Sequence, residues 1–168
     1  MKNIRLVQIN QNGQPDEEIA DLDETAKQAC SSTSALYRAT SFVPPWVGYL
    51  ALHGDNVVGT CAFNTINFKL PALNGKAEIA YFTFTEFEGN GFATAMAKSL
   101  IEIARAVYSH LIIVAQTAPQ ENSSNYILKK LGFAFSGPVQ SPEDGEIWEW
   151  HLAGHAQECI PADKPEQD

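Results

Sequence analysis

The chain has 168 residues, 45% of them hydrophobic, enough for one domain with a proper core and too little for two. Its formal net charge of −9 repels phosphate backbones, which argues against nucleic acid as a partner. A spanning helix needs about 20 apolar residues, and the apolar runs here are short, as in Leu111-Ile112-Ile113-Val114-Ala115, so a membrane partner is not expected.

Met1-Lys2-Asn3-Ile4-Arg5 lacks the long apolar stretch of a secretory signal, which points to the cytoplasm. Cys30, Cys61 and Cys159 are far apart and odd in number. They suggest no metal pattern and no disulfide framework, and each reads as a small hydrophobe or an inert thiol. The negative charge suits a cationic acceptor such as an amine, and it equally serves solubility. Much of it lies in Asp16-Glu17-Glu18, Asp21 and Asp23-Glu24 and in the tail after Gly154, which read as a solvated face and a mobile end.

Ile4 to Ile9 alternates as a strand, and Asn12-Gly13 with Pro15 marks a turn. Asp16 to Cys30 predicts a helix with Ile19, Leu22, Ala26 and Ala29 on one stripe and an acidic first turn that suits the helix dipole. Ser32 to Thr40 predicts a second, short helix, ended by Pro44-Pro45. Val47 to His53 and Asn56 to Asn64 read as strands around the turn Gly54-Asp55. Phe68 to Lys76 reads as a loop, with Pro71 and Asn74-Gly75, and Ala77 to Thr85 as an aromatic, β-branched strand. Gly91 to Tyr108 predicts a long helix with Met96, Leu100, Ile103 and Val107 inward. Leu111 to Gln116 is a continuous apolar strand of the kind buried on both faces. Glu121 to Leu131 predicts a helix closed by Gly132, and Phe133 to Val139 and Glu146 to Leu152 the last two strands. The pattern implies an α/β (α+β) single domain over residues 1–152, with a mixed, mostly antiparallel sheet of about seven strands and about four helices.

The stretch from Ala77 to Thr94 carries the chemistry. A strand runs into Glu88-Gly89-Asn90-Gly91, which opens a long helix. The first helical amides lack internal partners and, with the dipole behind them, bind anions. Gly89 and Gly91 let the backbone approach a ligand closely. Ala93 keeps the first turn small, and the Thr94 hydroxyl adds a donor, so the loop reads as a diphosphate cradle. A dinucleotide-binding turn is the rival reading, but an antiparallel meander precedes the loop, and Leu111 to Gln116 does not end in the acidic residue that such folds place about 20 positions on.

Glu88-Gly89-Asn90-Gly91-Phe92-Ala93 resembles the coenzyme A signature of the GCN5-related N-acetyltransferase (GNAT) superfamily, with Glu88 where the signature has Gln or Arg. Thr117 to Ser124, followed by Lys130-Leu131-Gly132-Phe133, is similar to the helix and closing Gly-Phe of its ribosomal-protein acetyltransferase branch. There Glu121 holds the place of an Asn, Asn122 is shifted by one, and Ser124 holds the Ser position. Asp144-Gly145-Glu146-Ile147-Trp148-Glu149-Trp150 resembles the last strand of small members.

The resemblance implies an acetyl-coenzyme A site on Glu88, Gly89, Asn90, Gly91, Phe92, Ala93 and Thr94, with Asn122 and Ser124 as further coenzyme contacts. It implies backbone donors around Phe82, Thr83 and Phe84 for the oxyanion, freed where that strand parts from Leu111 to Gln116. It also implies Glu78 as general base, since a carboxylate amid apolar neighbours has a raised pKa; a water-facing or salt-bridged Glu78 is the bland alternative. Many members protonate the leaving thiolate with a Tyr, and that position holds Leu128 here. Tyr126 points to another face, which leaves Ser124 as the donor, or merely as a helix cap. Trp46, Phe63, Tyr81 and Phe82 are candidates for an acceptor pocket and equally for core, with Pro44-Pro45-Trp46 as its wall. His53, His110, His151 and His155 have no ligand spacing, so no metal is expected.

Together these features imply a cytoplasmic N-acetyltransferase, monomer or homodimer, that moves an acetyl group from acetyl-coenzyme A to a primary amine on a protein N-terminus or a small molecule. A coenzyme A-binding sensor without turnover is the alternative.

Overall fold

The computed structural model describes residues 3–64, 76–120, 122–142 and 145–154. The expected loop from Phe68, up to residue 75, lies outside them, as do Glu121, Cys159 and the tail from His155. The described strands are β1 (Arg5–Gln8), β2 (Gly48–His53), β3 (Asn56–Asn64), β4 (Lys76–Thr83), β5 (Ile112–Thr117), β6 (Ala134–Ser141) and β7 (Gly145–Leu152). The described helices are α1 (Glu24–Ala39), α2 (Phe92–Val107) and α3 (Ser123–Lys130). The strands form one seven-stranded sheet in the order β1-β2-β3-β4-β5-β7-β6. It is mostly antiparallel, and β4 and β5, joined through α2, run parallel; a parallel pair needs such a crossover. No helix among the described residues is long and apolar enough to cross a membrane. The chain divides into two units, Met1–Phe68 with Ile79–Leu100 and Lys69–Glu78 with Ile101–Asp168.

In the first unit, β2 and β3 form the expected hairpin. His53 pairs with Asn56, leaving the two-residue turn Gly54-Asp55, with Gly54 at φ +63° as such turns require. β1 pairs antiparallel with β2, from Arg5 opposite Leu52 to Gln8 opposite Tyr49. A buried cluster of Val7, Ile9, Leu50, Leu52, Val57 and Phe84 is closed by Ala26 and Cys30 of α1. Cys30 and Cys61 are both buried, and burial raises the pKa of each thiol, which makes them unreactive hydrophobes. The Tyr37 hydroxyl donates to the Ile9 carbonyl (2.9 Å) and accepts from the Gly48 N–H (2.8 Å), tying α1 to the residue after β1 and to the start of β2.

The helices expected over 16–30 and 32–40 are a single helix, and it begins later. Asp23 caps α1 by accepting from the Ala26 N–H at 2.9 Å. Residues 16–22 form a strap along β1 instead. The Asp16 N–H donates to the Gln8 carbonyl (2.9 Å), and its carboxylate accepts from Gln8 Nε2 (3.0 Å). Ile19 and Leu22 then pack against the cluster without helical geometry. The hydroxyl-rich run Ser31 to Ser34 does not break the helix. Thr33 Oγ1 bonds back to the Ala29 carbonyl (2.8 Å), and Ser34 Oγ reaches the Gln11 carbonyl (3.0 Å).

Gly59 of β3 lies close against Phe82 of β4 and Met96 of α2. A Cβ there would lie 2.5 Å from the Phe82 carbonyl oxygen and 2.9 Å from Met96 Cε. The methionine can yield, but the carbonyl belongs to the sheet. Gly59→Ala is therefore expected to destabilise the protein by about 1–3 kcal/mol, the usual cost of overpacking. Urea unfolding measures it, and an unchanged midpoint would mean that the strands are not this close.

In the second unit, β7 pairs antiparallel with both β5 and β6. β6 stands last in the sheet order, which is where Pro138 is tolerated. Arg105 donates to the carbonyls of Leu111 and Ala153 (2.7 Å to the latter), joining the end of α2 to the start of β5 and the end of β7. On α2, Met96, Leu100 and Ala104 are fully buried. Val107, expected inward, is the last helical residue and is 44% exposed.

Candidate functional site

The end of β4 and the start of α2 form one continuous loop in the first unit. The Phe84 N–H donates to the Val58 carbonyl at 2.9 Å. A short 3-10 turn, Thr85–Phe87, follows, and the Glu88 N–H closes onto the Thr85 carbonyl at 3.3 Å. Asn90 Nδ2 donates back to the carbonyls of Phe87 and Glu88, each at 3.1 Å, which fixes the bend. Gly89 and Gly91 hold φ +79° and +85°, conformations that side chains resist. The first bond of the helix runs from the Ala95 N–H to the Gly91 carbonyl at 3.2 Å. The amides of Phe92, Ala93 and Thr94 therefore have no carbonyl upstream to accept them within the helix.

The side chains of this loop divide into anchors and rim. Phe92 is buried and packs on Phe87 and His53, with ring centroids 6.3 and 5.1 Å away. Thr94, whose hydroxyl is expected to add a donor, is buried as well. Glu88, Gly89, Asn90 and Gly91 are exposed. A Cβ on Gly89 would meet nothing within 4 Å, so the crest of the loop is open. From Ala77 to Ala97 there is no Lys or Arg. Within this stretch an anion is met by amides and the helix dipole.

Along β4, burial alternates. Ala77 and Ile79 are buried, Ala80 and Phe82 are exposed, and Glu78 is half-buried. The Thr83 hydroxyl is buried, and it has no hydrogen-bond partner among the described residues. Because the Phe84 amide is already bonded to Val58, it is not free as the oxyanion donor expected of it. Regular pleating turns the Thr83 amide to the other edge of the strand.

Trp46 and Phe63, expected as possible pocket walls, are core. They are 4% and 3% exposed and pack edge-to-face at 5.0 Å. The Pro44–Pro45 peptide is cis, and the Pro45 carbonyl accepts from the Tyr49 hydroxyl at 2.6 Å.

In the second unit, β5 leads through a short loop to α3. Asn122 caps α3, its Oδ1 accepting from the Asn125 N–H at 3.1 Å. The cap is thus Asn122 and not Ser124, which is half-buried in the first turn. Leu128 is fully buried and Tyr126 is 68% exposed, so the two do point to different sides. The helix closes as expected at Gly132, φ +97°, with the Phe133 N–H bonded to the Leu128 carbonyl at 2.9 Å.

A buried polar chain, missed in the sequence, holds this loop. Trp150 Nε1 donates to Thr117 Oγ1 (3.1 Å), which donates to Asn125 Oδ1 (3.3 Å). Asn125 Nδ2 donates to the Gln120 carbonyl (2.6 Å) and to Asn122 Oδ1 (2.8 Å). Asn125 is 0% exposed, and Thr117 and Trp150 are buried. The available signal was an Asn three residues before Leu128, at the spacing of the inner stripe.

Residues 9–134 match the family model described as an acetyltransferase (GNAT) domain. An uncharacterized N-acetyltransferase, p20 of Bacillus licheniformis, is 33% identical over 89 residues. That match covers 53% of this chain and 48% of that protein, so the chain spans about half the length of the curated relative it matches. Among solved structures, the RimL ribosomal L7/L12 alpha-N-protein acetyltransferase is similar with a TM-score of 0.62 and 16% identity, over 89% of this chain and 92% of that one. A chimera of the spermidine N-acetyltransferase SpeG from Vibrio cholerae and hSSAT has a TM-score of 0.62 and 14% identity, over 89% and 95% of the two chains. RimJ of Mycobacterium smegmatis, in complex with CoA-disulfide, has a TM-score of 0.57 and 20% identity, over 79% and 63%. At these identities the likeness is one of fold.

Proposed function

The chain belongs to the acetyltransferase (GNAT) family, and from that premise we propose that it transfers an acetyl group from acetyl-coenzyme A to a primary amine by direct attack in a ternary complex. The observation that carries this reading is the start of α2, where a loop bent by two glycines at positive φ ends on helical amides without upstream partners. The backbone from Gly89 to Thr94 holds the coenzyme's diphosphate, and the helix dipole adds to the attraction. Glu88 contributes through its backbone, its exposed side chain lying in water.

The amine nitrogen attacks the thioester carbon, and the Thr83 amide steadies the oxyanion that forms. Glu78, directly or through a water, takes the proton that the ammonium must lose. The C–S bond then breaks, the nitrogen's remaining extra proton passes to the departing thiolate so that it leaves as the free thiol, and Ser124 donates a hydrogen bond to that sulfur. A protein N-terminus and a small amine are both acceptors of the required chemistry.

Release of free thiol in the presence of an amine panel tests the function. Acetyl-coenzyme A bound tightly but consumed by no amine would instead mark a binding module. Glu78→Gln is expected to lower kcat by about 100- to 1000-fold, in the range of a lost general base, with the KM for acetyl-coenzyme A changed less than about twofold. A kcat within a few-fold of wild type would remove Glu78 from the role.

A further inference from the structure

β4 has a sheet neighbour on either side, and on one of its faces Ala80 and Phe82 are exposed, Phe82 by 56%. A lone surface hydrophobe means little, but Phe82 is not loosely placed. Its ring stands 6.1 Å from that of Phe84, which is 3% exposed and belongs to the buried cluster under α1. The Phe82 ring thus has a core ring as its neighbour on one side and is open over about half of its surface, with the small, exposed Ala80 two residues before it on the same face of the strand. Six residues further on, Glu88 begins the glycine-bearing loop.

We propose that the Phe82 ring seats the acceptor, a primary amine carrying an aryl or branched alkyl group close to its amino group. The proposal rests on the acetyl-transfer reading. A rigid aromatic surface holds a flat apolar group at little entropic cost. The net charge of −9 draws in an ammonium, while Ala80 and Phe82 themselves offer no hydrogen bond to a polar substituent. The preferred amine is therefore cationic at one end and apolar next to it.

Calorimetric titration of 2-phenylethylamine, ethanolamine and 1,4-diaminobutane tests this, using the full chain in the presence of free coenzyme A, so that no turnover is needed. Wild type is expected to bind 2-phenylethylamine at least tenfold more tightly than ethanolamine. Phe82→Ala should abolish that preference, weakening 2-phenylethylamine at least tenfold and leaving ethanolamine unchanged, while Phe82→Tyr, which keeps the ring, should restore it. Equal losses for all amines, no loss for any, tighter wild-type binding of 1,4-diaminobutane than of 2-phenylethylamine, or no amine bound by wild type would each overturn the proposal. If the preference is found but thiol release stays absent with every amine, the acetyl-transfer reading fails and the aromatic seat stands.

Discussion

Replacing Asn125 with leucine should destabilise the protein by about 2–3 kcal/mol and lower its melting temperature by roughly 5–10 °C. Leucine has the branched skeleton of Asn but larger methyl ends, so some overpacking adds to the loss of the hydrogen bonds. Three groups lose a partner: the Gln120 carbonyl, Asn122 Oδ1 and Thr117 Oγ1. Asn125 is 0% exposed, so water cannot take its place without opening the helix start. Thr117 is buried, so its hydroxyl proton is left unmet, which costs more than the bond contributed, while Asn122 Oδ1 keeps the bond from the backbone N–H of residue 125. Circular dichroism gives the melting shift. Hydrogen exchange should show faster amide exchange over residues 120–128 than in wild type, with β2 and β3 unaffected. An unchanged melting temperature would mean that the network contributes nothing to stability.

Gly91→Val should weaken acetyl-coenzyme A binding at least 100-fold by calorimetry. Gly91 holds φ +85°, which a β-branched residue resists, and its backbone lies where the diphosphate is to approach. The strain on folding is only about 1–2 kcal/mol, so the protein should remain folded while the cradle changes shape. Gly145→Ala is the matched control. Its φ is +74°, a Cβ there meets nothing within 4 Å, and it lies at the start of β7 rather than in the cradle, so it should keep affinity within a few-fold. If Gly91→Val binds as wild type does, the diphosphate is held elsewhere, and the role given to the start of α2 is lost.

Local signals carried most of the elements. Gly54-Asp55 between alternating runs was enough for the hairpin, and β3 has the bounds read from its sequence, Asn56–Asn64. Gly132 ended α3, and the glycines before Phe92 opened α2. Each of these is a backbone conformation that a residue type permits or forbids, so it can be read without knowing what lies nearby. The start of α1 was misread for the complementary reason. An acidic run suits a helix N-terminus, but Asp16 is engaged by Gln8 of β1, a partner eight residues away.

The sequence by itself determined the order of the elements, the glycine-bent start of α2 and the family, because backbone permissiveness and spacing are properties of short stretches. Only the tertiary structure decided which polar groups are free. It bonded the Phe84 amide to Val58, gave the α3 cap to Asn122, buried Asn125 in a hydrogen-bonded chain, put Trp46 against Phe63 in the core and left Phe82 open. Whether a donor is taken or a ring is covered depends on residues far off in the chain that meet it only on folding.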